Sequence, residues 1–242
     1  MAMNEELGIS IIIPVYNEVD NVAALYEEIV RVMSPSAYTF EVIFVDDGSK
    51  DGTVAKLRTL EPTSGSLRIV CHVNNCGQSA AILTGGRAAH YPVLVTLDGD
   101  GQNDPADILR LLEFWGEPNM VILGNRSVRH DSLVRKASST IGNGVRRCFL
   151  RDECGDTGCS LKIFAKDVFL SLPYFDHAHR FLPALFKSAG QQLVNVPVNH
   201  RPRRYGQSKY GVMNRLFVGL HDLIGVRWLL SRTCNPTVCS DE

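Results

Sequence analysis

Apolar residues along this chain fall into blocks of two kinds. Residues 9–15 (Ile-Ser-Ile-Ile-Ile-Pro-Val), 40–45, 67–73 and 93–97 are nearly continuous apolar runs rich in β-branched side chains, as expected of strands buried on both faces. Between them apolar positions recur every three or four residues. Val22, Leu25, Ile29 and Val32 follow a candidate cap at Asn21, and similar stretches lie near 53–60 and 79–89, the spacing of amphipathic helices. The alternation predicts right-handed βαβ units on a mostly parallel sheet flanked by helices, an α/β fold. Asp104-Pro105 opens a further helix, with Pro in its first turn and Ile108, Leu111, Leu112 and Trp115 on its buried side, and residues 120–123 add a strand. Beyond Gly124 the pattern loosens into a polar loop and helix over 126–150, a short strand at 159–164, and two helical pieces over 165–190 parted by a loop at 175–179.

The last periodic segment, residues 213–230, gathers Met213, Leu216, Phe217, Leu220, Leu223, Ile224 and Trp228 on one broad apolar side. Such a helix completes a core or, given Arg215, Arg227 and Arg232, lies in a membrane interface. No uninterrupted apolar stretch reaches the about 20 residues that span a bilayer, so the expectation is a soluble or peripheral protein. The acidic N-terminus does not read as a signal peptide. The organisation predicted is one domain over residues 9–210, the amphipathic helix over 211–232 and a tail over 233–242.

Composition changes this picture little. With 242 residues, 45% of them hydrophobic, and a net charge of -1, the chain has a sizeable core and no basic field of the kind nucleic acid attracts. Basic residues are uneven: His200-Arg201-Pro202-Arg203-Arg204, with Lys209 close behind, reads as a phosphate or anionic-surface site or as a solvated run. Seven cysteines without paired Cys-x-x-Cys spacing read as reduced thiols of a cytosolic protein.

The chemistry gathers at strand ends. Asp98-Gly99-Asp100 closes the run at 93–97, and Asp46-Asp47 closes the run at 40–45. Asp and Gly also dominate ordinary turns. Two acidic pairs ending two strands of an open α/β sheet, however, face one crevice. Paired carboxylates there suit a divalent cation held against a diphosphate, which makes a nucleotide-sugar transferase the leading expectation. No Gly-x-Gly-x-x-Gly follows the first strand, so a dinucleotide oxidoreductase is disfavoured.

Taken in order, Ile-Pro-Val-Tyr-Asn-Glu (13–18), Val-Asp-Asp-Gly-Ser-Lys-Asp-Gly-Thr (45–53), Asn-Asn-Cys-Gly-Gln-Ser-Ala-Ala (74–81), Leu-Asp-Gly-Asp-Gly-Gln-Asn-Asp-Pro (97–105), Gly-Asn-Arg (124–126), Asp-Thr-Gly-Cys (156–159) and Gly-Gln-Ser-Lys-Tyr-Gly (206–211) resemble the family-2 glycosyltransferases of the GT-A fold, in their polyprenyl-phosphate (dolichyl-phosphate mannose synthase-like) branch. The resemblance implies a metal-dependent inverting transfer from a nucleoside-diphosphate sugar to a polyprenyl phosphate. Pro14, Tyr16, Glu18 and Asp46 or Asp47 then line the nucleoside pocket. Asp98, Asp100 and Gln102 hold Mg²⁺ or Mn²⁺. Arg126, Arg135, Ser139, Arg204 and Lys209 hold the acceptor phosphate, with Gly206 and Ser208 beside Lys209 on a mobile flap, and His179 and Arg180 border the acceptor entrance. Asp100, Asp156 and Arg126 are the residues it implies in catalysis.

Two departures narrow it. The Gln-x-x-Arg-Trp signature of processive synthases lacks its Gln before Arg227-Trp228, which argues against polymer synthesis. Membrane helices that many relatives append do not follow residue 232 in this sequence. The expectation is a cytoplasmic enzyme, peripheral on the cytoplasmic face of a membrane, that reaches its lipid through the amphipathic helix, an anchoring subunit or a homo-oligomer. Two alternatives stay open: a soluble transferase acting on a sugar or protein hydroxyl with Asp156 as general base, and a non-catalytic subunit.

Overall fold

The computed structural model describes residues 7–60, 66–126, 149–150, 152–202 and 212–232, the side chains of 66 and 212–220 excepted. Seven strands form one sheet in the order β3-β2-β1-β4-β6-β5-β7. The strands are β1 (Gly8–Val15), β2 (Thr39–Asp46), β3 (Ser66–Cys71), β4 (Val93–Thr96), β5 (Met120–Arg126), β6 (Lys162–Ala165) and β7 (Gln192–Val198). β1 pairs in parallel with β2 and β4, β2 with β3, and β5 with β7, whereas β6 runs antiparallel between β4 and β5.

Because successive side chains of a strand leave on opposite faces, each apolar run feeds two cores. Ile9, Ile11, Ile13 and Val15 of β1 join Leu25, Ile29 and Met33 of α1 (Val22–Met33) and Ile108 and Leu111 of α4 (Ala106–Leu112) on one face. Ile12 of β1, Ile43 and Val45 of β2 and Leu94 of β4 face Ala81 and Ile82 of α3 (Gln78–Ala88), Phe169 of α5 (Lys166–Ser171) and Phe186 of α6 (Leu182–Ser188) on the other. A short α2 (Thr53–Arg58) follows β2, and a 3₁₀ turn (Ala178–Arg180) precedes α6.

The strands and helices expected within the described residues are present with small shifts of boundary, the loop and helix expected over 126–150 lying outside them but for residues 149–150, and three features differ. Asn21 stands at the N-cap of α1 but makes no side-chain cap, and its Nδ2 donates to the Glu18 carboxylate at 2.6 Å. β7 was not expected. It lies at the sheet's edge, where Pro197 is tolerated because one side of the strand needs no ladder donor.

The third difference is the last helix, α7 (Val212–Arg232). Leu223 and Val226 pack with Leu150, Phe181 and Ala184, while Ile224 and Trp228 stand 62% exposed. The single apolar side expected of it is thus split, with Leu223 inward and Ile224 and Trp228 outward. Among the described residues no helix is long and apolar enough to cross a membrane.

Candidate active site

β2, β1 and β4 are parallel neighbours, so their C-terminal ends share one edge of the sheet and bring Asp46, Pro14 and the Asp98-Gly99-Asp100 turn together. Gly99 is required by that approach. A Cβ there would lie 2.5 Å from Val15 Cγ1 and 3.1 Å from the Pro14 carbonyl oxygen. One wall of the crevice is two loops stitched together. The Asn17 amide donates to Ser49 Oγ, the Lys50 amide to Asn17 Oδ1 and the Glu18 amide to Thr53 Oγ1, at 2.8, 2.8 and 3.0 Å. Tyr16 and Glu18 ride on this wall half-buried.

The adjacent aspartates Asp46 and Asp47 have different surroundings. Asp47 Oδ1 meets His72 Nδ1 and accepts from the Cys76 amide, and its Oδ2 accepts from the Gly77 amide, each at 2.8 Å. Its carboxylate is spent on pinning the loop that leads into α3. Asp46 Oδ2 accepts from the Ser49 amide at 3.0 Å, whereas Oδ1 is buried with no hydrogen-bond partner among the described residues. Gly48 lets the two loops meet: its φ is +76°, and a Cβ would come within 2.7 Å of the Asn74 backbone.

On the crevice floor Asp98 Oδ1 accepts from Gln78 Nε2 at 2.8 Å, and Asp100 Oδ1 accepts from the Gln102 amide at 3.1 Å. Burial and then the Asp100 charge push the Asp98 carboxyl up to about 6, against the pull of a Ser160 hydrogen bond and the Lys162 and Arg126 charges. Gln102 Nε2 donates to the Arg201 carbonyl at 3.4 Å, so Oε1 is the atom it has to offer a cation. Two carboxylates and an amide oxygen are hard donors, and a divalent cation among them would remove the repulsion that lifts Asp98.

Across the floor Arg126 at the end of β5 grips Asp156 with both arms of its fork, Nε to Oδ2 at 2.5 Å and Nη2 to Oδ1 at 2.9 Å. Asp156 is 2% exposed, and its Oδ1 also accepts from the Gly158 amide. His179 is half-buried against the start of α3. The Ser79 hydroxyl meets its Nδ1 at 2.7 Å and accepts from its backbone amide at 3.1 Å. Burial, and then the Arg180 charge, lowers its pKa to about 3, so the ring is neutral. Arg201 departs from the expected phosphate cluster, because its guanidinium is tied to Glu28 at 2.8 Å and to Asp104 at 2.7 Å.

Comparison with known proteins now adds to this geometry. The family model Glycosyl transferase family 2 matches residues 10–171. The chain belongs to glycosyl transferase family 2. Among relatives of this family-2 chain, the undecaprenyl-phosphate 4-deoxy-4-formamido-L-arabinose transferase of Edwardsiella ictaluri is 32% identical over 217 residues, 89% of this chain and 66% of that one. The dodecaprenyl-phosphate galacturonate synthase of Rhizobium johnstonii is 32% identical over 237 residues, 96% of this chain and 70% of that one. The chain thus spans about two thirds of the length of these relatives. In fold it is similar to the glucosyl-3-phosphoglycerate synthase of Mycobacterium tuberculosis solved with Mn²⁺, UDP and glucosyl-3-phosphoglycerate (TM-score 0.69, 16% identity, 96% of this chain and 81% of that one). The mannosyl-3-phosphoglycerate synthase of Rubrobacter xylanophilus gives a TM-score of 0.67 at 14% identity, over 98% of this chain and 79% of that one. The mostly parallel sheet and its helices are accordingly those of the GT-A fold.

Pro14, Tyr16, Glu18, Asp46, Asp47, Asp98, Asp100 and Gln102 of this family-2 chain therefore gather at one sheet edge, and Arg126 and Asp156 pair with each other. Arg135, Ser139, Arg204, Gly206, Ser208 and Lys209 lie outside the described residues. Three further members were not anticipated. Gln78 opens α3 and reaches Asp98, the Ser160 hydroxyl donates to Asn103 Oδ1 at 2.8 Å, and the buried Lys162 donates to the Cys159 carbonyl. Lysine is almost never fully buried unpaired, so the Lys162 charge inside the run 161–165 was the signal available.

Proposed function

We propose that this chain moves a glycosyl group from a nucleoside-diphosphate sugar to a polyprenyl phosphate in the crevice beside β1, β2 and β4. The reading is carried by Asp98 and Asp100. A partly buried carboxylate lifted to about 6 beside a buried second acid is a donor pair for which a divalent cation is the natural counter-charge. Asp98, Asp100 and Gln102 would hold Mg²⁺ or Mn²⁺, which when bound neutralises charge building on the departing nucleoside diphosphate.

The nucleoside belongs against Pro14, Tyr16 and Glu18. Asp46 receives its N–H or hydroxyl donors rather than Asp47, since Asp46 Oδ1 lacks a partner among the described residues and the Asp47 carboxylate is engaged with the His72 ring and two backbone amides. A phosphate monoester is an anionic nucleophile near neutral pH, so positioning matters more than proton removal. One of its oxygens bonds to the anomeric carbon as the bond from that carbon to the diphosphate oxygen breaks, with inversion. Arg126, oriented by Asp156, is suited to one phosphate because its planar fork makes bidentate contacts. Arg135, Ser139, Arg204 and Lys209 are proposed as the other phosphate contacts. The lipid-phosphate acceptors named in the two relatives support this choice. The soluble-acceptor alternative needs Asp156 as a base, yet both its oxygens are engaged.

Attachment to the bilayer is assigned to the outward side of α7, where Ile224 and Trp228 are exposed beside Arg232. Burying an isoleucine and a tryptophan in an interface is worth about 1.5–3 kcal/mol each at full burial, so Ile224→Asp with Trp228→Asp should release the protein from anionic liposomes in a flotation assay. A donor panel with Mg²⁺ or Mn²⁺, run against a short polyprenyl phosphate and against water-soluble sugars and peptides, tests the whole reading. Formation of lipid-linked product supports it. Turnover of the soluble acceptors at equal or greater rate sinks it.

A further inference from the structure

Beyond the hard-cation site, three groups of different chemistry converge behind the loop at 72–77. One ligand atom each from Asp47, His72 and Cys76 lie within 4.8 Å of one another. Asp47 stands just past the end of β2, His72 just past the end of β3, and Cys76 two residues before α3. The set is a carboxylate oxygen, an imidazole nitrogen and a thiol, which suits a borderline or soft divalent ion of the zinc class rather than magnesium.

We infer that Asp47, His72 and Cys76 form a second cation site, for a thiophilic divalent ion such as Zn²⁺, in the wall of the donor pocket.

The residues behind the ligands fit this assignment. His72 Nε2 lies 2.9 Å from Thr84 Oγ1 on α3, the kind of outer contact that fixes the tautomer of a ligating histidine. Without an ion, Nδ1–H donates to Asp47 and the Thr84 hydroxyl donates to Nε2. With an ion, the ring proton sits on Nε2 and donates to Thr84, Nδ1 gives its lone pair to the ion, and the Cys76 thiol releases its proton to solvent. Cys76 is an exposed free cysteine, so an ion can enter and keep water in its fourth position. Asp98 and Asp100 offer no thiol or imidazole, so the two sites sort ions by ligand softness.

Occupation has a structural consequence. The bond from Nδ1–H to Asp47 Oδ1 is lost, and the loop that carries Gln78 onto Asp98 becomes tethered through Cys76 to the strand next to Asp46. Zn²⁺ is therefore expected to inhibit the transfer by a route separate from exchange at Asp98 and Asp100.

The test is competition titration of Zn²⁺ against a chromophoric chelator, with Co²⁺ absorption as the reporter of thiolate ligation, on the full chain, Cys76→Ser, Thr84→Val and Asp100→Asn. The full chain and Asp100→Asn should show one more equivalent of tight Zn²⁺ than Cys76→Ser, and the thiolate-to-cobalt band should vanish in Cys76→Ser alone. Thr84→Val should weaken that equivalent by about tenfold through loss of the outer contact. Equal Zn²⁺ stoichiometry and affinity in the full chain and Cys76→Ser would overturn the site. Zn²⁺ inhibition as potent in Cys76→Ser as in the full chain would overturn its effect on transfer, since exchange at Asp98 and Asp100 is common to both. Cys76→Ser changes one atom of an exposed side chain, so its folding can be checked independently by its melting curve.

Discussion

Strand β2 carries a buried carboxylate at each end, and the fold treats them in opposite ways. Near its start Glu41, fully buried, accepts from Ser10 Oγ and from the His90 amide at 2.6 Å each, and meets His90 Nδ1 at 3.2 Å. At its end Asp46 is as deeply buried and has one oxygen with no partner among the described residues. An unmet buried acceptor costs about 1–3 kcal/mol. The sheet meets that cost nowhere near Glu41, and bears it on the edge where Asp98 and Asp100 also repel one another. A closed polar network at one edge supports the fold, and an open one at the other is chemistry reserved for a ligand.

The largest effect that would sharpen this contrast is at Asp100. Asp100→Asn should reduce kcat/KM by about 1000-fold, if the cation supplies several kcal/mol to the transition state. Removing one of two repelling acids should leave the melting temperature level or higher. A variant that keeps near-normal rates and melts early would make Asp100 a structural residue.

Asp46 and Asp47 come next, as adjacent residues with opposite expected phenotypes. Asp46→Asn should weaken nucleoside-diphosphate binding by about 10- to 100-fold, the worth of a charged hydrogen bond, with little change in stability. Asp47→Asn should instead cost about 1–3 kcal/mol of stability by disrupting the pinned loop. Calorimetric titration with the nucleoside diphosphate and denaturant melts on both variants decide it, and exchanged phenotypes would reverse the assignment.

At the closed edge Glu41→Gln should cost about 1–3 kcal/mol of stability, measured by urea unfolding. The turnover of the folded variant should match the parent, and a large drop in turnover would break the division between the two edges.

The smallest effect is a pH dependence. Burial alone would raise the Glu41 carboxyl, but the Ser10 and His90 hydrogen bonds and the His90 charge outweigh it and hold the group below its ordinary 4.5. A carboxyl lowered on folding stabilises the fold fully above its unfolded value, and that contribution fades as pH falls below 4.5. The parent should therefore lose stability between about pH 4.5 and pH 3 more steeply than Glu41→Gln. Parallel slopes would mean Glu41 is not lowered.

How much of this could be read from the sequence depends on what kind of information each feature needs. The runs at 9–15, 40–45 and 93–97 announced strands because a strand buried on both faces must be apolar throughout, and the acids just past two of them marked the working edge. β7 gave no such signal: its seven residues carry an exposure pattern in which only Val196 and Val198 are buried. The helical period in 213–230 located α7 correctly, yet it could not say that Leu223 and Val226, rather than Ile224 and Trp228, would meet Phe181 and Ala184.

The sequence by itself determined the α/β class, the family, and the placing of paired acids at strand ends, since period and strand-end chemistry are local properties of the chain. Only the tertiary structure decided that β6 inserts antiparallel between β4 and β5, that Asp156 is held by Arg126, that Arg201 is tied to Glu28 and Asp104, and which oxygen of Asp46 is left without a partner. Each of these depends on which groups from distant segments meet in space. A residue's type fixes how many hydrogen bonds it can make, but only the packed chain determines which of them are made.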